Sequence, residues 1–477
     1  MENPSIISRT SNNHHHQLWF AFLISFLLFS LFLRFHYSNT FQSPNTVTTF
    51  SLDTTDSCHG RYVFIQNIPS RFNQFLLQNC QFITKGSDKP NMCPYMNNMG
   101  LGPEIKNENV SDVLLTNTWY VTNQFLLEVI FHNRMKRYEC LTNDSALASA
   151  VFVPSYIGLD ISRFLWVANL TVRDSSGFEL LRSLVEKPEW KRMWGRDHFV
   201  VSGRISWDFR RQADDLAYWG SKFRFLPESM NMSMLAVEGS SWKNDYAIPY
   251  PTSFHPLLDN DVYQWQSKIR HQKRQFLFTF TGAPRPELED SIRGKIIEQC
   301  QGSSLCKFVD CRYEKCDDPV NVMKVFENAV FSLQPSGDSY TRRSIFDSIV
   351  AGCIPVFFNP GTAYSQYKWH FPKNRSEYSV YIPVKDVKKW NVDIGKVLLR
   401  IPENEVIAMR EEVIKLIPKI VYADPRGKLD DFEDAFDIAL KGILERIENV
   451  REEIRKGRDP SIGFADEDHY KYTFSDN

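Results

Sequence analysis

The sequence predicts an α/β protein: two successive units of parallel sheet and helix, preceded by one N-terminal membrane helix. Three observations predict it. Short β-rich runs alternate with helix-compatible segments, the pattern of a parallel sheet covered on its faces. A proline-containing stretch at 249–256 divides this alternation in two. A single apolar run near the start has the length of a bilayer core. With 477 residues, 43% hydrophobic and 24% charged, the chain can bury two cores and lacks the composition of a disordered protein. Lys and Arg number 56 against 57 Asp and Glu, so no basic excess exists to hold nucleic acid, which is excluded as a partner.

Residues 1–17 read as a cytosolic tail, and the triplet His14–His16 in it as polar filler. Residues 18–33 (LWFAFLISFLLFSLFL) carry only Ser25 and Ser30 as polar members. Extended to Tyr37, the segment reads as an uncleaved signal anchor, because Arg34-Phe35-His36-Tyr37 offers no small-residue cleavage site. Charge flanking the anchor hardly sets its orientation. Residues 38–57, rich in Ser, Thr and Asn, read as a flexible stem. Five sequons follow, at Asn109, Asn143, Asn169, Asn231 and Asn374. Of nine cysteines, eight lack C-x2-C zinc spacing and read as lumenal disulfides of undecided pairing; Cys353, in an apolar run, reads as a buried thiol.

The first unit, 58–255, contains a strand at 61–68 ended by Pro69, a helix at 119–137, and strands at 151–154, 199–202 and 235–237. The second, 256–447, opens with a helix at 262–274 leading into a strand at 276–281, which GAPRP at 282–286 breaks. A helix at 321–328, a strand at 331–333, a helix at 341–351 and a buried strand at 354–358 follow. Val406, Met409, Val413, Leu416 and Ile417 form one helix stripe, and Phe436, Ala439, Leu440, Ile443 and Ile447 another. Residues 448–477 read as a charged tail that frays.

Chemistry concentrates in residues 333–358 (LQPSGDSYTRRSIFDSIVAGCIPVFF), a strand, loop, helix, turn and strand. Ligands of such units bind where loops leave the carboxyl ends of strands. Gly337 permits close backbone approach or a positive φ, and Ser339 or Thr341 can cap the helix. Arg342 and Arg343 fall in its first turn, where two cations oppose the helix dipole. An anion held between them and the helix N–H groups removes that conflict, and a diphosphate fits better than a carboxylate. Asp347, on the same face as Arg343, receives ribose hydroxyls or simply pairs with Arg343. A surface salt bridge without ligand is the alternative.

This segment resembles the donor-binding region of the exostosin-like glycosyltransferases of family 47, most closely the plant xyloglucan galactosyltransferase branch. Supporting stretches are GRYVFIQNIPSRFN at 60–73, NQFLLEVIFHNRMKRYECLTND at 123–144 and GRDHFVVSGRISWDFRR at 195–211. IPYPTSFHP at 248–256, FTGAPRP at 280–286 and YADPR at 422–426 extend it. The resemblance implies a GT-B-like fold, two Rossmann-like domains facing a cleft, on a single-pass type II Golgi membrane protein with a lumenal head. It implies UDP-galactose as donor, xylosyl side chains of xyloglucan as acceptor, inversion at the anomeric carbon, no essential metal or other cofactor, and other Golgi glycosyltransferases as possible partners. The acid pairs Asp214-Asp215, Asp259-Asn260-Asp261 and Asp317-Asp318 read as loop or helix acids rather than a metal motif.

On this reading the donor set is Gly337, Asp338, Ser339, Thr341, Arg342, Arg343 and Asp347, with the arginines and helix terminus stabilising the leaving diphosphate. A base from the first unit must take the acceptor proton. His198, Asp160 and Glu238 are the candidates, while Asp208, among Arg204, Arg210 and Arg211, reads as an ion-pair partner. Trp166, Trp207, Trp242 and Tyr250 are candidate sugar-stacking aromatics. Galacturonate or arabinose as the sugar, another polysaccharide as acceptor, and a silent polysaccharide-binding scaffold are the competing readings.

Overall fold

The computed structural model describes residues 56–83, 92–106, 113–289, 291–313, 316–468 and 471. The anchor, nearly all of the stem and Asn109 lie outside the described residues. Among those described, no helix is long and apolar enough to cross a membrane.

The described residues form two five-stranded sheets, and every strand pairing in them is parallel. The first contains β1 (Val63–Ile65), β2 (Ala150–Val153), β3 (His198–Ser202), β4 (Ser233–Ala236) and β5 (Asp245–Ala247) in plain sequential order. The second contains β6 (Phe276–Gly282), β7 (Cys306–Asp310), β8 (Ala329–Gln334), β9 (Ile354–Phe357) and β10 (Val380–Tyr381), ordered β10-β9-β8-β6-β7. This second order is that of a doubly wound sheet: the chain starts inside, goes one way to β7, then returns past β6 and continues the other way. The first sheet has no such reversal, and in this it departs from the expected Rossmann-like order.

Full burial of β2, β3 and β4 explains their near-continuous apolar character. Alternate residues serve opposite faces, as the strand period of two requires. Phe152, Phe199, Val201 and Leu235 join one core with Leu127, Ile130 and Phe131 of helix α1 (Leu127–Met135). Val153, Val200, Met234 and Ala236 pack with Leu180, Leu181, Leu184 and Trp190 in another. The first of these cores continues to Phe278, Phe331 and Val356 of the second sheet. Among the helices that matter for the site, α2 (Ile157–Ser162) follows β2, α3 (Asp259–His271) precedes β6, α4 (Arg293–Gln301) follows β6, and α5 (Arg343–Val350) follows β8.

Two sequence expectations are corrected here. The helix expected over 119–137 starts only at Leu127, because Trp119 and Tyr120 are extended and bridge to Phe254 and Glu104. The charged segment after 447 is folded through residue 468. Helix α6 (Ala435–Arg455) carries its apolar stripe on to Val450, which packs with Phe464 and Met193, and the Asp468 N–H donates to the Ser241 carbonyl. Its charged residues occupy the other faces of that helix, which masks the stripe in a composition reading. The eight paired cysteines join as Cys58–Cys140, Cys80–Cys93, Cys300–Cys306 and Cys311–Cys316, and Cys353 is free and buried.

Candidate active site

In a doubly wound sheet the ligand crevice lies beyond the carboxyl ends of the strands where the order reverses. Here that point is between β6 and β8. The loops that leave these strands, with those leaving β2, β3 and β4, line one cleft of about 1300 Å³. Gly282, Ala283 and Arg285 come from the loop after β6, and Gly337, Ser339 and Arg342 from the loop after β8.

Arg342 is the N-cap residue of α5 and makes no side-chain cap. Among the described residues its guanidinium donates to the carbonyls of Thr281 and Pro335, at 3.2 and 3.3 Å. Arg293, at the start of α4, donates to the carbonyls of Ser336 and Ala283. Among the described residues neither has a carboxylate within ion-pair distance. Burial pushes Arg342 down to about 9, helped by repulsion from Arg293 and Arg285, and pushes Arg293 down to about 10. Arg293 is buried and Arg342 half-buried on one cleft wall, and the acid that attracts both, Asp338, is itself paired with Arg285; such a wall suits an anionic ligand. Gly337 is needed for this geometry by close approach and not by its φ: a Cβ there would stand 2.9 Å from Arg293 Nη2. Arg293 was not singled out in the sequence, although it bears the same signal as Arg342, a cation opening a helix after a strand.

Arg343 has another employment. It donates to the Thr122 carbonyl and to Ser253 Oγ at 2.8 Å, and its Nε lies 3.3 Å from Asp347 Oδ2. It therefore ties α5 to segments that belong with the first sheet. Asp347 is buried, pushed above the usual carboxylate range by that burial, and lines an adjoining hollow of about 630 Å³. Asp338 sits at the rim with a largely exposed side chain, accepting from Arg285 Nε at 2.8 Å.

Ser339 and Thr341 do not cap the helix as expected. Ser339 Oγ, Thr341 Oγ1 and the Thr341 N–H all donate to Glu238 Oε2, each at 2.7 Å. The indole Nε1 of Trp207 donates to Glu238 Oε1 at 3.1 Å. Glu238 lies just past β4 and is fully buried, which pushes its carboxyl upward against the lowering effect of these donors. It braces the β8–α5 loop against the first sheet. Tyr250 is buried with its hydroxyl 3.0 Å from Thr341 Oγ1, and Trp242 packs beneath the Arg210 guanidinium, so neither offers a free ring face.

His198 is corrected as a base candidate. It opens β3, so it lies at the amino end of the strand, opposite the edge that faces the cleft. It is fully buried, with Nδ1 2.8 Å from Asp197 Oδ1 and its ring against Trp190. Asp160 pairs with Arg163 and faces a separate small hollow beside Phe72 and Phe209. Asp208 does line the cleft; it accepts from Arg204 Nη1 and from Trp219 Nε1, both at 2.9 Å. The acid pairs of the sequence have structural partners: Asp214 meets Arg211 and Lys222, Asp261 takes part in the N-terminal cap of α3, and Asp318 caps the helix Pro319–Phe326.

One carboxyl near the cleft was not visible in the sequence. Glu128 of α1 accepts the N–H groups of Gly158, Leu159 and Gly203, joining the ends of β2 and β3. Burial pushes it up to about 8. A folded-state pKa above the unfolded value means stability present in acid and lost as pH rises through 8. Melting temperature is expected to fall between pH 5 and pH 8.5 in the native chain, with a shallower fall in Glu128→Gln; equal slopes would contradict this.

The second sheet is thus doubly wound, with Arg293 and Arg342 at the cleft formed by its switch-point loops. The family model of the exostosin GT47 domain matches residues 57–398, and the chain belongs to that family. A probable xyloglucan galactosyltransferase, GT14 of Arabidopsis thaliana, is 58% identical over 100% of this chain and 97% of its own length. The xyloglucan galactosyltransferase MUR3 of the same plant is 48% identical over 91% of this chain and 72% of its own. Among solved structures, the pneumococcal O-GlcNAc transferase GtfA in complex with UDP and GlcNAc aligns over 54% of this chain at 10% identity, with a TM-score of 0.26 too low to bear on the fold.

Proposed function

We propose that this chain is a glycosyltransferase that moves galactose from UDP-galactose to xylosyl side chains of xyloglucan, with inversion, across a GT-B-like cleft. One observation carries the donor half: Arg293, buried, and Arg342, half-buried, share a cleft wall with no carboxylate at ion-pair distance among the described residues. They hold the diphosphate and stabilise its charge as the glycosidic bond breaks. Arg343 and Glu238 keep that loop in place from the other side. The names of the relatives support galactose and xyloglucan.

The head faces the Golgi lumen from a type II anchor at 18–37. The apolar run supports this, as do four disulfides, which belong to an oxidising compartment. Asn143, Asn169 and Asn374 are exposed and are the glycosylation sites we favour; Asn231 is half-buried. The test offers the full-length chain UDP-galactose, UDP-galacturonic acid and UDP-arabinose with xyloglucan oligosaccharides, followed by linkage analysis. Galactosyl-xylose as the main product is expected. A different sugar, or a product not linked to xylose, would overturn the assignment.

A further inference from the structure

The cleft walls differ in charge and in aromatic content. On the first-sheet side Arg163 pairs with Asp160 and Arg204 with Asp208. The cleft arginines with no ion-pair carboxylate among the described residues lie on the second-sheet side, at Arg293 and Arg342. Within the neutral wall stand two indoles that the fold leaves in water: Trp166 is 68% exposed and Trp219 39%. Both line the cleft, with ring centroids 6.1 Å apart.

These rings are held in place from behind. Arg173 is 2% exposed and donates from Nε to the Val167 carbonyl and from Nη1 to the Tyr218 carbonyl, so one buried guanidinium fixes both tryptophan-bearing segments. The Gly220 N–H donates to the Leu165 carbonyl, joining the same two segments again. Trp219 is further oriented by its indole bond to Asp208, whose other oxygen takes Arg204. A rigid aromatic surface costs a ligand little ordering entropy.

We infer that Trp166 and Trp219 form the platform on which the acceptor glycan rests, stacking the C–H faces of uncharged pyranose rings while the wall opposite holds the sugar nucleotide. This rests on the proposed transferase reading and names its acceptor subsite. An exposed ring pair suits the apolar face of a sugar. Pairwise neutralisation of the arginines on that wall favours a neutral glucan over an acidic polymer, since an acidic chain would be drawn to the opposite wall and compete with the donor.

The test uses the full-length chain with Trp166→Ala, Trp219→Ala and the double variant, all at exposed positions. The acceptor KM for a xyloglucan oligosaccharide is expected to rise about 10-fold or more in the double variant, with kcat within ~3-fold of native and UDP affinity unchanged. Trp219→Phe, which keeps a ring and loses the Asp208 bond, is expected to lie between. In parallel, tryptophan fluorescence is followed during titration with xyloglucan oligosaccharide and with oligogalacturonate. A response to the neutral glycan that the double variant loses supports the platform even if no galactose is transferred, so the transferase reading can fail separately. An unchanged KM and an unchanged fluorescence response in the double variant would overturn the platform. Equal or tighter binding of oligogalacturonate to the native chain would overturn the neutral-acceptor assignment.

Discussion

Replacing Arg342 with methionine is expected to weaken UDP binding by about 100-fold while leaving the melting temperature unchanged or raised. The two halves of this outcome share a cause. Without a ligand the guanidinium is desolvated and meets Arg293 and Arg285 as like charges, its acceptors among the described residues being two carbonyls. Removing it relieves that repulsion, so the folded chain loses little. With a diphosphate present, the same charge makes charge-assisted bonds that nothing else supplies at that point; truncating one partner of such a buried contact costs about 2–5 kcal/mol. Calorimetric titration with UDP and thermal melting of the two proteins check both halves. A simple structural role for Arg342 would instead lower the melting temperature and leave UDP affinity near native.

The second large effect is expected at Glu238. Glu238→Ala removes the carboxyl that accepts from the buried Thr341 N–H and hydroxyl, from the Ser339 hydroxyl and from the Trp207 indole. Each orphaned donor costs roughly 1–3 kcal/mol, so a loss near 3 kcal/mol is expected, with UDP affinity falling in parallel as the β8–α5 loop loosens. Glu238→Gln should fall between, because its oxygen can face Thr341 only by turning its amide towards the Trp207 donor. Urea unfolding and UDP titration read the two together. Were Glu238 the base instead, Glu238→Gln would keep stability and UDP affinity and lose only turnover.

Much of the second sheet was legible because its inner strands are apolar runs bounded by turn residues. Phe276–Gly282, Ala329–Gln334 and Ile354–Phe357 all fall within a few residues of the expected spans. The strands that escaped are short or at the edge. Asp245–Ala247 has three residues and begins with an aspartate that Arg210 and Arg224 neutralise. Cys306–Asp310 is half-exposed and starts at a disulfide, so it lacks the continuous apolar run of the inner strands.

The site shows the same limit. A cation pair at a helix start is a local signal, and it pointed to the β8–α5 loop, which lines the cleft. Whether each cation is free or already engaged depends on what other segments bring: Thr122 and Ser253 occupy Arg343, while among the described residues no carboxylate pairs with Arg342. Glu238 was singled out for its place beyond a strand, but its four donors come from positions 207, 339 and 341, which local reading does not gather. His198 failed because adjacency to a strand does not say which end of the sheet a residue occupies.

Donor binding at this cleft depends most on the charge of Arg342 and Arg293 meeting a pyrophosphate. Titrating the native chain with UDP and with uridine tests this directly. Affinity for UDP should exceed that for uridine by about 100-fold or more and shrink as salt is raised. Equal affinity for the two, indifferent to salt, would contradict it.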